Sequence, residues 1–410
     1  MKKSLYISLI GIVGLSLAGC ASPVSTVTKE EAPTTQVETV AEAPAETKTT
    51  ETESTSEEPV EEVTTEKTGD SDSIEISNKY FPDEALRAAV SDQFDEDEDG
   101  FLSSEEIEDA QELVLSGNFN GPSEYGTCES LEGIEYLPNL VSMRVSFNEI
   151  SELDLSKNAK LTNLVIGYSK LTKLDASVCP ELDYLNCEGN EELTSIILDN
   201  PNLTSLSCSK CSITELDLSK CPNLDSIRCY YNQLTELDLS KNGELTLAYI
   251  RSNPLTEIDV SKNLKLEDLS IDDTLIETVD LSANENLRRL SCGWSNMKSL
   301  DLSNNPKLEH LAIDSSDIET IDLSNNPELY FLSCQSGDIE ELDLTHNPKM
   351  QYLDIQFLPL KELDLSNCEK MVYLIENGDK SDISDRQSWN NAEGDEEAQL
   401  QVPLNCKLIY

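Results

Sequence analysis

From about residue 140 to 374 the chain repeats one apolar–polar alternation at a fixed interval. Leu216-Asp217-Leu218-Ser219 returns as Leu237-Asp238-Leu239-Ser240, Ile258-Asp259-Val260-Ser261, Val279-Asp280-Leu281-Ser282 and Leu300-Asp301-Leu302-Ser303. It continues from Ile321, Leu342 and Leu363, each start 21 residues after the last. Earlier copies begin at Leu153 and Leu174, and the copy at Ile196-Ile197-Leu198-Asp199 is out of step by one. Each repeat holds a second, related half. Leu203-x-x-Leu206-x-Cys208 returns at Leu224, Ile227 and Cys229, at Leu287, Leu290 and Cys292, and at Leu329, Leu332 and Cys334. Alternation with a period of two makes both halves short, half-buried strands. Leu216 and Leu218 point one way, Asp217 and Ser219 the other. Asn-Pro and Lys-Asn corners turn the chain between strands. One coil cannot bury its leucines, but a stack of about eleven can, as a sum of nearest-neighbour interfaces. The pattern predicts a mainly β, right-handed solenoid over residues 118–375, with two parallel sheets and almost no helix in the repeats.

The whole unit reads LxxLxCxxNxLTxLDLSxNPx. It resembles the leucine-rich repeats, specifically the nested bacterial 21-residue type in which two strand motifs share one coil. The resemblance covers well over half of the chain. It is similar in this respect to surface adhesins and internalin-like proteins, which implies recognition of another protein, or of a glycan, through one sheet.

Before the repeats, residues 73–117 read as a small helical module. Pro82-Asp83-Glu84 suits a helix start, with Leu86, Val90 and Phe94 on one face. The stretch from Asp95 to Glu106 then has the spacing of an EF-hand calcium loop. Asp95, Asp97 and Asp99 take the first, third and fifth positions. Gly100 makes the sharp turn, Phe101 offers its carbonyl, Ser103 acts directly or through water, and Glu106 can bind bidentate. Calcium is a hard cation that takes six to eight oxygens at about 2.3–2.6 Å, and extracellular sites of this kind bind it with a Kd of roughly 10⁻⁴–10⁻³ M. The bland alternative is a capping box, Ser103 with Glu106, behind a solvated acidic loop. It explains two residues but not the three aspartates and Gly100. EF-hands usually pair and dockerins carry two such segments. With a single loop, the expected role is a staple for two helices covering the open end of the first coil.

Composition changes the picture at both ends. Asp+Glu is 80 against Lys+Arg 29, a net charge of −51. That excludes nucleic acid as a natural ligand, because phosphate binding needs the opposite sign, and favours cationic partners and divalent metals. Lys2-Lys3, the apolar run from Leu5 to Leu17, and Leu17-Ala18-Gly19-Cys20 match a lipoprotein signal cleaved before Cys20 (residues 1–19). The apolar run is too short to be a spanning helix. By resemblance Cys20 becomes the diacylated N-terminus, anchoring the protein to the outer face of a bacterial membrane, since two or more acyl chains hold where one is marginal. Residues 20–72 are rich in Thr, Glu, Pro and Ser with no apolar period. They read as a self-repelling acidic tether able to reach on the order of 170 Å when fully stretched. Beyond Leu374 the period fails, and residues 376–410 read as a C-terminal cap in which Leu400-Gln401-Val402 and Leu408-Ile409-Tyr410 are candidate closing strands.

The 12 cysteines do not form a disulfide framework in this reading. Cys187, Cys208, Cys229, Cys292 and Cys334 occupy the inward column that Ile250, Ile271, Ile313 and Ile355 fill elsewhere, as small hydrophobes. Cys179, Cys221 and Cys368 stand where corner asparagines such as Asn158, Asn242 and Asn263 stand, and Cys211 does the same in the other corner. Cys128 and Cys406 lie outside the repeats. Metal binding through cysteine lacks a Cys–His cluster, because His310 and His346 are the only histidines. Catalysis has no G-x-S-x-G elbow, no phosphate-cradling glycine loop and no HExxH, so no enzyme is expected. The outward positions of the first strand stack Arg228 beside Tyr249 and Tyr230 beside Arg251. Arg and Tyr are enriched at binding hot spots, which makes these four the candidate contact site; the alternative is surface cover paired to nearby Asp. Trp294, Phe331, Tyr352 and Phe357 lie further along the same sheet or its edge. The second strand carries an Asp column from Asp154 to Asp364, broken by Ile197. It reads as a solvated ladder compensated by hydroxyls, backbone amides or loose cations. A passive spacer or cation-binding envelope component is the competing function.

Overall fold

The computed structural model describes residues 73–371, with the backbone of 373–375 and 407–409. The signal, Cys20, the tether and all of the C-terminal cap except its last strand lie outside the described residues. No helix among the described residues is long and apolar enough to cross a membrane.

The repeats stack as a parallel solenoid. Thirteen strands, from Glu112–Val114 to Tyr373–Ile375, form one parallel sheet in chain order. Each strand is three residues long and pairs without slippage: Ile227 lies opposite Ala248, and Ala248 opposite Leu269. The one-residue displacement near Ile196 does not disturb this sheet, since Tyr184–Asn186 pairs directly with Ser205–Ser207. The displacement is absorbed in the other half of the coil. Its leucines form a single hydrophobic core that runs from Phe81 to Cys368.

The expected second sheet does not form. Leu216 and Leu218 are buried as the alternation requires, but only two short pairs appear in that half: Lys173–Asp175 with Ser195–Ile197, and Glu362–Asp364 with Lys407–Ile409. Each column aspartate accepts the backbone N–H two residues on, Asp217 from Ser219 at 2.9 Å and Asp238 from Ser240 at 2.8 Å. This local Asx bond turns the backbone after the aspartate, and it is present also in the two strands that pair, at Asp175 and Asp364. The pair at Lys173–Asp175 includes the coil where Ile197 stands in place of Asp. The Lys407–Ile409 strand contains Leu408 and Ile409 of the expected closing strand.

Two corner columns hold the coils in register. Asn263 Nδ2 donates to the carbonyls of Leu239 (3.1 Å) and Asn242 (2.8 Å), and Asn284, Asn305, Asn326 and Asn347 repeat the pattern. In the other corner Asn232 Nδ2 donates to Cys208 and Cys229 carbonyls, while its Oδ1 accepts from the Ile213 N–H. Beside this corner the chain leaves the sheet through a left-handed residue in every coil from Phe147 to Phe357, with φ between 52° and 63° at the non-glycine positions. Such a backbone is strained for bulky residues. It persists because the N–H still reaches the next coil from Phe147 through Ser336, as from Tyr168 to the Glu188 carbonyl at 2.7 Å.

At the N-terminal end, Asp83 caps helix α1 (Glu84–Phe94), accepting from the Leu86 N–H. Ala85, Leu86, Ala89, Val90 and Phe94 bury against the solenoid core. Gln93 closes the free edge of the sheet: its Nε2 donates to the Val114 carbonyl (2.8 Å) and its Oε1 accepts from the Val114 N–H (2.9 Å). This blunts an edge that is otherwise open to pairing. Helix α2 (Ser104–Asp109) has no fully buried residue, but Ile107 packs against the core and its carbonyl accepts from Asn139 Nδ2 at 3.1 Å, so α1 supplies most of the cover and α2 a smaller part. The edge strand Glu112–Val114 lies within 73–117, so the sheet begins before the repeat consensus does.

Candidate functional site

The outer face of the sheet carries the four singled-out residues as one cluster. Arg228 and Tyr249 face each other on adjacent strands, with the guanidinium 5.6 Å from the ring centroid. Arg251 lies 4.9 Å from the Tyr230 ring and 5.4 Å from Tyr231. Both tyrosine hydroxyls are tied down. Tyr230 donates to Glu188 (3.2 Å) and Tyr249 donates to Asp268 (3.0 Å). Burial, then the Asp268 carboxylate, push the Tyr249 phenol up to about 12. Glu188 also takes Lys210 (2.9 Å) and the Tyr168 hydroxyl (3.1 Å), and Asp268 also takes Arg289 Nε (2.7 Å). Each ring therefore has its hydroxyl fixed and a guanidinium over it.

From Arg289 the face turns aromatic. His310 stacks on Phe331 with centroids 3.9 Å apart, and Phe331 on Tyr352 at 4.4 Å. The interplanar angles are 6° and 4°, set by the parallel register of the strands beneath. Burial, then the neighbouring Arg289, push the His310 imidazole down to about 4, so it is neutral at pH 7. Trp294 and Phe357 sit in the left-handed column at the sheet edge and are exposed.

The calcium loop brings Asp95, Asp97 and Asp99 together, with a carboxylate oxygen of each within 4.8 Å of the others. Gly100 turns the loop at φ +85°, where a side chain is disfavoured. The Asp95 carboxylate accepts the Asp99 and Gly100 N–H groups, both at 3.0 Å. The Phe101–Leu102 strand pairs with Ile74–Glu75, so the segment before the helix supplies the partner strand. Glu106 forms the capping box with Ser103 while also accepting from the Glu96 N–H at 2.8 Å. Burial raises its pKa, but the Ser103, Glu96 and Asp97 hydrogen bonds outweigh that and hold it below its ordinary value. Three expected ligands thus suit a hard cation, while Glu106 and Ser103 are engaged in the cap.

No family model and no curated protein matches the chain. Solved structures do. The functional domain of InlJ from Listeria monocytogenes, described as including a cysteine ladder, is 29% identical with a TM-score of 0.60; the match covers 74% of this chain and 71% of that one. An internalin, InlF, from the same species is 21% identical with a TM-score of 0.57, covering 73% and 82%. The chain shares the leucine-rich-repeat fold of these structures. In this chain all the described cysteines are free and buried. Cys187, Cys208 and Cys229 stack in consecutive coils, and desolvation raises all three thiols.

Sequence reading missed Glu188, Lys210, Asp268, Arg289 and Tyr231. The signal was available for Asp268 and Arg289: they stand immediately before the central leucine of their strands, as His310, Phe331 and Tyr352 do.

Proposed function

We propose that this is a surface protein, lipid-anchored at Cys20 and held off the membrane by residues 20–72, that recognises another protein through the outer face of its sheet. The likeness to internalin-type structures supports protein recognition and a surface location. The observation that carries the assignment to Arg228, Tyr230, Tyr249 and Arg251 is their pre-organisation. Two cations are already seated on rings whose hydroxyls are already bonded, so little side-chain freedom is left to lose on binding. A glycan has less support, because sugars stack on open ring faces. Here Arg251 and Arg228 cover Tyr230 and Tyr249, and His310, Phe331 and Tyr352 face one another. Calcium at Asp95, Asp97 and Asp99, with Phe101, Ser103 and Glu106 completing the oxygen set, is a structural element of this reading. The test compares the full chain with the quadruple variant Arg228→Ala, Tyr230→Ala, Tyr249→Ala, Arg251→Ala in capture of surface-labelled proteins from candidate host cells and neighbouring bacteria. Each hot-spot truncation typically costs at least ~1–2 kcal/mol, so specific capture should fall by tenfold or more. Equal capture by both, at equal melting temperature, leaves the passive spacer as the function.

A further inference from the structure

The described arginines differ in what they bind. Arg144, Arg288 and Arg289 each pair with a carboxylate, that of Glu112, Glu309 and Asp268. Arg87 donates to the Phe81 and Pro82 carbonyls. Among the described residues, neither Arg228 nor Arg251 has a carboxylate within ion-pair distance. That is unexpected in a chain with 80 acidic residues against 29 basic ones. The acids of this part of the face are committed elsewhere, Glu188 to Lys210, Tyr168 and Tyr230, and Asp268 to Arg289 and Tyr249. A guanidinium lying on a ring keeps its N–H donors in its own plane. Arg228 gives one of them to Ser226 Oγ, at 2.8 Å. The remaining donors form forks of the shape that a carboxylate fills with two parallel bonds.

The spacing narrows the ligand further. Tyr249 lies opposite Arg228, and Arg251 is two residues further along that strand. One strand spacing combined with two residues of rise separates the arginine backbones by about 8 Å. In an extended chain, side chains on one face recur every ~6.6 Å, and the flexible arginine stems close the difference. We propose that Arg228 and Arg251 receive an acidic, extended segment of the protein partner, with carboxylates at alternate positions, one to each guanidinium. This inference rests on the sheet-face reading of function and adds the chemistry of the partner.

The test uses the full chain and a labelled peptide of alternating Glu and Thr, set against its Gln-for-Glu counterpart and heparin, in about 50 mM salt where such contacts are weakly screened. The Glu peptide is expected to bind about tenfold tighter than the Gln peptide, the difference one or two charge-assisted contacts provide. Arg228→Gln with Arg251→Gln should abolish the difference, and Arg228→Lys with Arg251→Lys should recover only part of it, since an ammonium lacks the fork. Equal binding of the two peptides overturns the proposal. So does binding of heparin without the Glu peptide, which assigns the pair to sulfated glycans. If Glu51→Gln with Glu53→Gln raises peptide affinity, the occupant is the chain's own tether and the proposal also falls. If the Glu peptide fails while capture of a surface protein still depends on the four residues, only the acidic-segment inference is lost and the sheet-face reading stands.

Discussion

Asn263 spans two coils with one amide, donating to Leu239 and Asn242 carbonyls while fully buried. Its Oδ1, like those of Asn242, Asn284 and Asn305, faces no donor among the described residues. The column therefore works as a row of donors, which is why Cys179 can stand in it, its thiol reaching the Asn158 carbonyl at 3.5 Å. Asn263→Ala leaves two carbonyls unmet and is expected to destabilise by about 2–3 kcal/mol. Asn263→Cys keeps a weak donor and removes the idle acceptor, so it should cost less. Denaturant melts of the two variants read the difference, and equal losses would show that volume rather than donation matters. The presence of a corner asparagine is legible in sequence, but which of its atoms is used is not, because that depends on where the previous coil places its carbonyls. The same holds at Gly189. A Cβ there would lie 2.5 Å from the Tyr168 ring, so the glycine makes room for the tyrosine that bonds Glu188.

Among elements, the Asp-Leu-Ser half repeats one local bond at every aspartate of its column. The Asp217, Asp238, Asp280 and Asp301 carboxylates are held below their ordinary value by the hydroxyl and N–H of the serine two residues on, and Asp154 and Asp259 by the N–H first and then the hydroxyl. A carboxyl whose folded pKa is lowered contributes stability above its unfolded value of 3.8 and loses it as pH falls through the folded value. Asp272 and Asp314 are raised by burial and oppose the trend, gaining stability as pH falls toward 3.8. With the lowered aspartates in the majority, the melting temperature should drop below about pH 4. An Asp259→Asn, Asp280→Asn variant, whose amides still accept the serine N–H, should show a smaller drop. An equal drop would remove the ladder as its source. The loop between α1 and α2 allows a parallel test. Millimolar calcium should raise the melting temperature of the full chain, and Asp95→Ala should lose that rise, by the linkage that any ligand of the folded state imposes. An equal rise in the variant would place the ion elsewhere.

At the scale of the molecule, charge and surface act in opposite senses. A chain of net charge −51 repels an acidic partner at long range, yet offers unpaired guanidinium groups on contact. Repulsion beyond about 8 Å is screened at 0.15 M salt. Association of the acidic peptide should therefore speed up as salt rises from about 20 to 150 mM, while dissociation also quickens as the contacts weaken. Stopped-flow traces separate the two. An association rate that falls steadily over that range would show that local attraction to the two arginines outweighs the repulsion of the chain as a whole. The stack itself is a sum of neighbour interfaces closed at one end by α1 and the Gln93 bonds to Val114.

Periodicity alone determined the coil length, the inward leucines, the cysteine column as core and the adjacency of Arg228, Tyr249, Tyr230 and Arg251. A repeat of fixed length stacks equivalent positions whatever their identity, so columns follow from counting. Only the tertiary structure decided that one sheet forms rather than two, that α1 supplies most of the cover of the first coil, and that Glu188 and Asp268 serve tyrosines and leave two arginines unpaired. Those outcomes turn on competition for each donor and acceptor among side chains from different coils. Counting along the chain places the competitors side by side, but it does not say which bond each of them makes.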